Sequence, residues 1–165
     1  MAEKNGYLYL LGGEDGFLCT FGPQGPVCPC FNVWRSADGA TWELVTPAAG
    51  WSPRPGHQCQ VLFDTFLCFG GFGFPTNPFV PAHPRDLWES RDGATWTLVS
   101  ESPWNADGPE DVKYDFDSLV VRGGQGGMRP SIFTFGGDRE ASFAAPDPAL
   151  VDDDVWSFSP APKRR

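Results

Sequence analysis

Asn32-Val-Trp-Arg-Ser-Ala-Asp-Gly-Ala-Thr-Trp-Glu-Leu-Val45 returns further along the chain as Asp86-Leu-Trp-Glu-Ser-Arg-Asp-Gly-Ala-Thr-Trp-Thr-Leu-Val99. Nine of the fourteen positions are identical without a gap, and Trp34 and Trp88 stand 54 residues apart. A shorter third copy starts at Asp154-Val-Trp156 and stops at Ser159-Pro160. Each copy follows an apolar run closed by a glycine pair: Tyr7-Leu-Tyr-Leu-Leu-Gly-Gly13, Phe66-Leu-Cys-Phe-Gly-Gly71 and Ile132-Phe-Thr-Phe-Gly-Gly137. From the second glycine to the next tryptophan the spacings are 21, 17 and 19 residues. Such a run predicts a buried strand whose end turns sharply or lets another backbone approach closely.

Composition points the same way. The 165 residues include 20 Gly, 17 Pro, 14 Phe and 7 Trp. Gly and Pro interrupt helices and suit turns, whereas aromatic residues suit a pleated, half-buried surface. With 41% hydrophobic and 20% charged residues, the usage is that of an ordinary folded domain. The net charge of −9 argues against nucleic acid as a partner, because phosphate recognition needs clustered Lys and Arg. The one basic run, Lys163-Arg164-Arg165, reads as a solvated tail. No stretch reaches the ~20 apolar residues that cross a bilayer, so no membrane partner is expected. The first residues lack the apolar core of a secretory signal, although a mature secreted chain with a new Met would look the same.

The five cysteines, Cys19, Cys28, Cys30, Cys59 and Cys68, are an odd number and do not read as a disulfide framework. Cys59 and Cys68 sit in apolar runs and read as small core residues. Cys28-Pro29-Cys30 lacks a second ligand pair, with only His57 and His83 available, so no metal and no cofactor is expected. A reduced, cytoplasmic setting is the simplest reading.

A period in the fifties with several strands per unit is the mark of β-propeller blades. The order of apolar strand, Gly-Gly, variable loop and Trp resembles the Kelch repeat. Pro53-Arg-Pro-Gly-His57, followed by Gln60-Val-Leu-Phe63, resembles the start of a Kelch unit. The resemblance implies an all-β chain of about three blades of antiparallel strands, each complete blade having four, with the first strand nearest the axis. It spans blade-like units at about 6–45, 57–100 and 116–159 in a single propeller domain or propeller fragment. On that template the middle unit is complete, with strands near 57–63, 65–71, 86–91 and 95–100. The first unit is expected to begin at its second strand and the last to stop after its third, giving three, four and three strands. Kelch rings close with six or seven blades, so the resemblance implies self-association, a protein partner, or a piece of a larger Kelch protein.

The stretches Ser36-Ala-Asp-Gly-Ala-Thr-Trp42 and Ser90-Arg-Asp-Gly-Ala-Thr-Trp96 resemble the Asp-box hairpin turn of sialidases and related propellers. The residue types explain a turn rather than a reaction. Asp38 and Asp92 can accept backbone N–H bonds, and Gly39 and Gly93 supply a positive φ. Ser36 and Ser90 add a side-chain bond beside Thr41 and Thr95, and Trp42 and Trp96 pack the hairpin onto its blade. A sialidase-like site would need an arginine cluster facing a Tyr/Glu pair. Arg54, Arg85, Arg122, Arg129 and Arg139 show no such spacing, and Tyr114 beside Asp115 reads as a polar loop. No complete catalytic apparatus is visible, so the chain is not expected to be an enzyme.

Beside the reading as a partial fragment of a larger Kelch protein, two functions compete. One is a protein–protein interaction or assembly module; the other is carbohydrate binding or sialidase-like glycan processing. For either, the expected surface is the face carrying the loops after each glycine pair and between units, with Trp51, Arg54, His83, Arg85, Trp104 and Arg139 as binding residues. Aromatic and Arg side chains concentrate binding energy, and long loops adapt better than tight turns.

Overall fold

A computed structural model describes residues 1–13, 21–22, 25–26, 32–52, 54–72, 84, 86–100, 113–123, 129–139 and 147–159. The chain is all-β there, apart from one 3-10 turn at Pro148–Leu150. Strands β1 (Ala2–Lys4), β2 (Tyr7–Leu11), β5 (Val33–Ser36) and β6 (Glu43–Thr46) form the first antiparallel sheet, in that order. A small hairpin, β3 (Phe21–Gly22) and β4 (Gly25–Pro26), lies inside the β2–β5 connection. The second sheet runs β7 (Gln58–Leu62), β8 (Thr65–Phe69), β9 (Leu87–Ser90), β10 (Thr97–Ser100). The third contains β11 (Asp117–Val121), β12 (Ser131–Asp138) and β13 (Val151–Phe158). Each sheet is an up-and-down meander, the build of a propeller-like blade.

One expectation is corrected here. The first sheet has a first strand, β1, paired with β2 in the register Ala2↔Tyr9, Glu3↔Leu8, Lys4↔Tyr7. The three blade-like sheets therefore hold four, four and three strands, apart from the two-stranded β3–β4 hairpin. The turn that makes β1 possible is Asn5-Gly6, with φ of 54° and 78° at its two central residues. Two consecutive positive φ values are the signature of the type I′ hairpin, and Asn-Gly is its preferred sequence.

The cysteine expectation is corrected as well. Cys59 and Cys68 face each other in the β7–β8 register with Cα atoms 4.1 Å apart, and they form a disulfide. That separation belongs to a non-hydrogen-bonded antiparallel pair, where facing side chains come closest. Both residues are buried, so their place in the core holds, but as a cross-strand bridge. The bridge also removes them from the reduced-thiol reading that favoured a cytoplasmic setting. Cys19, Cys28 and Cys30 lie outside the described residues.

The three sheets stack through two apolar seams. The first joins Tyr9, Leu11, Val33, Ala49 and Trp51 to Cys59, Phe66 and Cys68, with Trp88 and Trp96 against them. The second joins Leu62, Leu67, Phe69 and Leu87 to Phe116 and Ile132. β8 thus buries alternate residues on both faces, Phe66 and Cys68 towards the first sheet, Leu67 and Phe69 towards the third. This is why its sequence is continuously apolar from Phe66 to Phe69 rather than alternating. The first strands gather together, with β7 touching both β1 and β11. Side chains of β7 bridge to the next sheet: Gln58 Nε2 donates to Phe116 O at 2.7 Å and Gln60 Nε2 to Ser118 O at 2.9 Å.

The first two glycine pairs end the second strands as the sequence predicts, whereas Gly136-Gly137 lies inside β12, which continues to Asp138 past a register shift between Phe135 and Gly137. Gly70 and Gly71 have φ of 70° and 99°. A Cβ at Gly70 would stand 2.5 Å from the Phe116 ring, and Gly71 N–H donates to Lys113 O at 2.9 Å. The pair lets the segment entering the third sheet lie directly on the second.

Candidate functional site

Two repeated turns share four internal bonds. Gly39 N–H donates to Ser36 Oγ at 2.8 Å, and Ala40 and Thr41 N–H donate to Asp38 Oδ1 at 2.8 and 2.7 Å. In the second copy Gly93 N–H donates to Ser90 Oγ at 2.8 Å, and Ala94 and Thr95 N–H donate to Asp92 Oδ1, both at 2.8 Å. Each serine hydroxyl also donates to its aspartate at 3.0 Å. These backbone bonds, first those from Thr41 and Thr95, favour the ionised carboxylate. They hold Asp38 down at about 2 and lower Asp92 as well. Both aspartates bond their own turns through Oδ1. The tryptophans differ. Trp96 stacks edge-on against Trp51 with ring centres 4.4 Å apart and its Nε1 donates to Gly93 O, whereas Trp42 is half-buried and outside both seams.

Of the six expected binding residues, His83, Arg85 and Trp104 lie outside the described residues. Trp51 and Arg54 are corrected: both are buried, so neither offers a free surface. Trp51 fills the first seam. Arg54 forms a two-pronged ion pair with Asp86, Nη2 lying 2.8 Å from Oδ2 and Nη1 meeting Oδ1. Burial alone would raise the Asp86 carboxyl, but the Arg54 guanidinium and the Trp88 N–H bring it below its ordinary value. Arg139 is partly buried and donates from Nε to both Asp152 oxygens, at 3.0 and 2.9 Å. These arginines hold the fold together.

A repeated clamp escaped the sequence reading. Asp86 accepts from Trp88 Nε1 at 2.7 Å, and Asp154 accepts from Trp156 Nε1 at 2.6 Å. Each aspartate also takes a buried cation from the segment that enters its own sheet: Arg54 for Asp86, Lys113 for Asp154. Lys113 adds Asp152 at 3.1 Å, joining Arg139 in one network. The signal was the Asp-x-Trp spacing at Asp86–Trp88 and Asp154–Trp156, with Asn32 at the matching position of the first unit. Tyr114, expected in a polar loop, is buried in the same entering segment. Lys4 is a third buried cation: it crosses from the first sheet to Asp64 O at 2.7 Å and to Arg91 O, over the Phe66 ring.

Two kinds of surface remain open. On the turn side, Val61, Leu62, Phe63, Asp64, Val120, Arg122 and Pro130 line a groove of about 300 Å³ between the second and third sheets. Its rim carries Phe63, 64% exposed. The others are the outward faces of the two end sheets. Leu8 and Leu10 are 37% and 41% exposed, whereas their repeat equivalents Phe66 and Cys68 are 0% and 3% exposed in the first seam. Phe135 and Val155 are 38% and 59% exposed, against 5% and 3% for their equivalents Phe69 and Leu87 in the second seam. Side chains that dock sheet on sheet inside the molecule are uncovered at its two ends.

No family model and no curated protein matches the chain. Among the described residues, no helix is long and apolar enough to cross a membrane.

Proposed function

We propose that this chain is a non-catalytic protein-interaction and assembly module built on Kelch-like propeller blades with Asp-box turns. The observation that carries the reading is the exposure of apolar docking residues on the outward faces of the end sheets, Leu8 and Leu10 on one and Phe135 and Val155 on the other. Contiguous apolar surface of this kind marks interaction sites. The internal pairing of Arg54, Lys113 and Arg139 supports the same reading, since it leaves these cations as parts of the scaffold.

The test uses the chain as bait beside two variants, Leu10→Glu and Val155→Glu, and applies the same samples to a glycan array. Both positions are exposed, so neither change buries a charge in the isolated chain. A bound protein retained by the unaltered chain and lost from either variant supports the proposal. Saturable binding to a glycan, with protein capture absent or unchanged in both variants, overturns it in favour of a carbohydrate-binding propeller.

A further inference from the structure

We infer that the two outward faces are complementary to each other and that the partner is a second copy of this chain, docked front to back. The inference rests on the assembly reading above and names its occupant. Aligning the glycine pairs makes Leu8, Phe66 and Ile132 equivalent, with Leu10, Cys68 and Thr134 two positions on. These residues form the front of each sheet. The front of the second sheet meets the first sheet, and Ile132 meets the second. The intervening residues form the back: Tyr9, Leu11 and Val33 in the first sheet, Leu67, Phe69 and Leu87 in the second, Phe133, Phe135 and Val155 in the third. The first two backs are buried against the sheet that follows. Only the front of the first sheet and the back of the third are uncovered among these, and within the chain every seam is one front against one back.

A detail of the internal seam shows how the contact would fit. Gly93, in the second sheet's turn, lies beneath Tyr9 of the first sheet's back, where an added Cβ would come 3.1 Å from the ring. The equivalent Gly39 is exposed, and a Cβ there would meet only its own Leu8, at 3.7 Å. The equivalent of Tyr9 on the open back is Phe133, which is also aromatic. Front-to-back docking places Phe133 of one copy over Gly39 of the other, in the relation that Tyr9 has to Gly93. A front-to-back contact is heterologous, so it either closes a ring or continues without end. Three sheets per copy allow two copies to close with two identical contacts and six sheets. Each copy carries a net charge of −9, so the docking works against repulsion that salt screens.

Native mass spectrometry and sedimentation of the purified 165-residue chain at about 10 μM, a concentration at which an ordinary specific interface is occupied, read the outcome. The expected result is a discrete dimer that tightens as salt rises. Leu10→Glu alone and Val155→Glu alone are each expected to be monomers with unchanged far-UV spectra, because one substitution puts an unpaired carboxylate into both contacts of the ring. Mixing the two variants restores one intact contact, between the front of Val155→Glu and the back of Leu10→Glu, and gives a heterodimer. A dimer that persists in Val155→Glu alone overturns the inference, since it means that fronts pair with fronts. An open-ended series of oligomers overturns closure. A monomeric unaltered chain overturns the inference too, and if that monomer still captures another protein through Leu10 or Val155, the assembly reading stands without it.

Discussion

Arg54 illustrates how one side chain decides between a binding surface and a scaffold. Its guanidinium is buried against Asp86, and a buried pair broken from one side leaves an uncompensated charge. Asp86→Ala is expected to cost about 3 kcal/mol or more in denaturant unfolding. The double variant Arg54→Met, Asp86→Leu should cost distinctly less, because both charges are gone. Equal losses in the single and double variants would show that the pair does not couple. Titration offers a second residue-scale test. Burial, as the largest cause, holds the His57 imidazole down at about 4, against an ordinary 6.5, while its Nδ1 contacts Arg54 O. A base with a lowered folded value binds fewer protons folded than unfolded between those limits, so stability falls as pH drops from about 6.5 to about 4. Asp38 and Asp92 act lower: their lowered values contribute stability above 3.8 that is lost as pH falls through the folded value, about 2 for Asp38. Urea midpoints at pH 7, 5 and 4 should decline for the unaltered chain. For His57→Gln they should stay nearly level from pH 7 to 5, and a parallel decline would remove His57 as the cause.

The hairpin β7–β8 carries an element-scale test in its Cys59–Cys68 bridge, which spans nine residues of sequence. Closing so short a loop contributes roughly 2–3 kcal/mol by restricting the unfolded chain. Cys59→Ala with Cys68→Ala is expected to lower the melting temperature, and reductant should lower it only in the unaltered chain. Identical melting curves with and without reductant would mean that the bridge contributes nothing. How far such elements were legible depends on the range of their causes. The first two glycine pairs, the Trp34–Trp88 repeat and the Ser36 and Ser90 turns act through neighbours a few residues away, so their local signals translated directly into strands and turns. The Gly136-Gly137 signal was instead overridden by pairing with Asp152 and Val151 across β13. β1 was legible too, through Asn5-Gly6 before an apolar run, but the repeat template outweighed that local signal. The disulfide depends on register, which the spacing of Cys59 and Cys68 does not state. At the candidate surface, Trp51 and Arg54 misled because aromatic and Arg residues in a loop suit a binding site and a buried clamp equally well. Only the position of Asp86, 32 residues away, separates the two.

At the scale of the whole molecule, the second of the three stacked sheets is packed between the other two, as in a short linear array. The second sheet has two apolar seams, whereas the first and third have one each. Opening β8 must therefore break both seams, while β13 leaves Val151, Val155 and Trp156 exposed before anything opens. Local opening free energies follow the contacts that must be lost. Amide exchange is expected to be slowest across Thr65–Phe69 and clearly faster across Val151–Phe158 when the chain is dilute enough to be monomeric. The Trp96 ring is part of the first seam through Trp51, so Trp96→Ala should cost about 3 kcal/mol and speed exchange in β8. Trp42→Ala, at the equivalent place on the open front, should cost less in the monomer. Exchange mass spectrometry on the three chains reads all of this at once. Protection in β13 equal to that in β8, or equal losses from Trp42→Ala and Trp96→Ala, would mean that the sheets unfold as one unit whose seams do not set its weakest points.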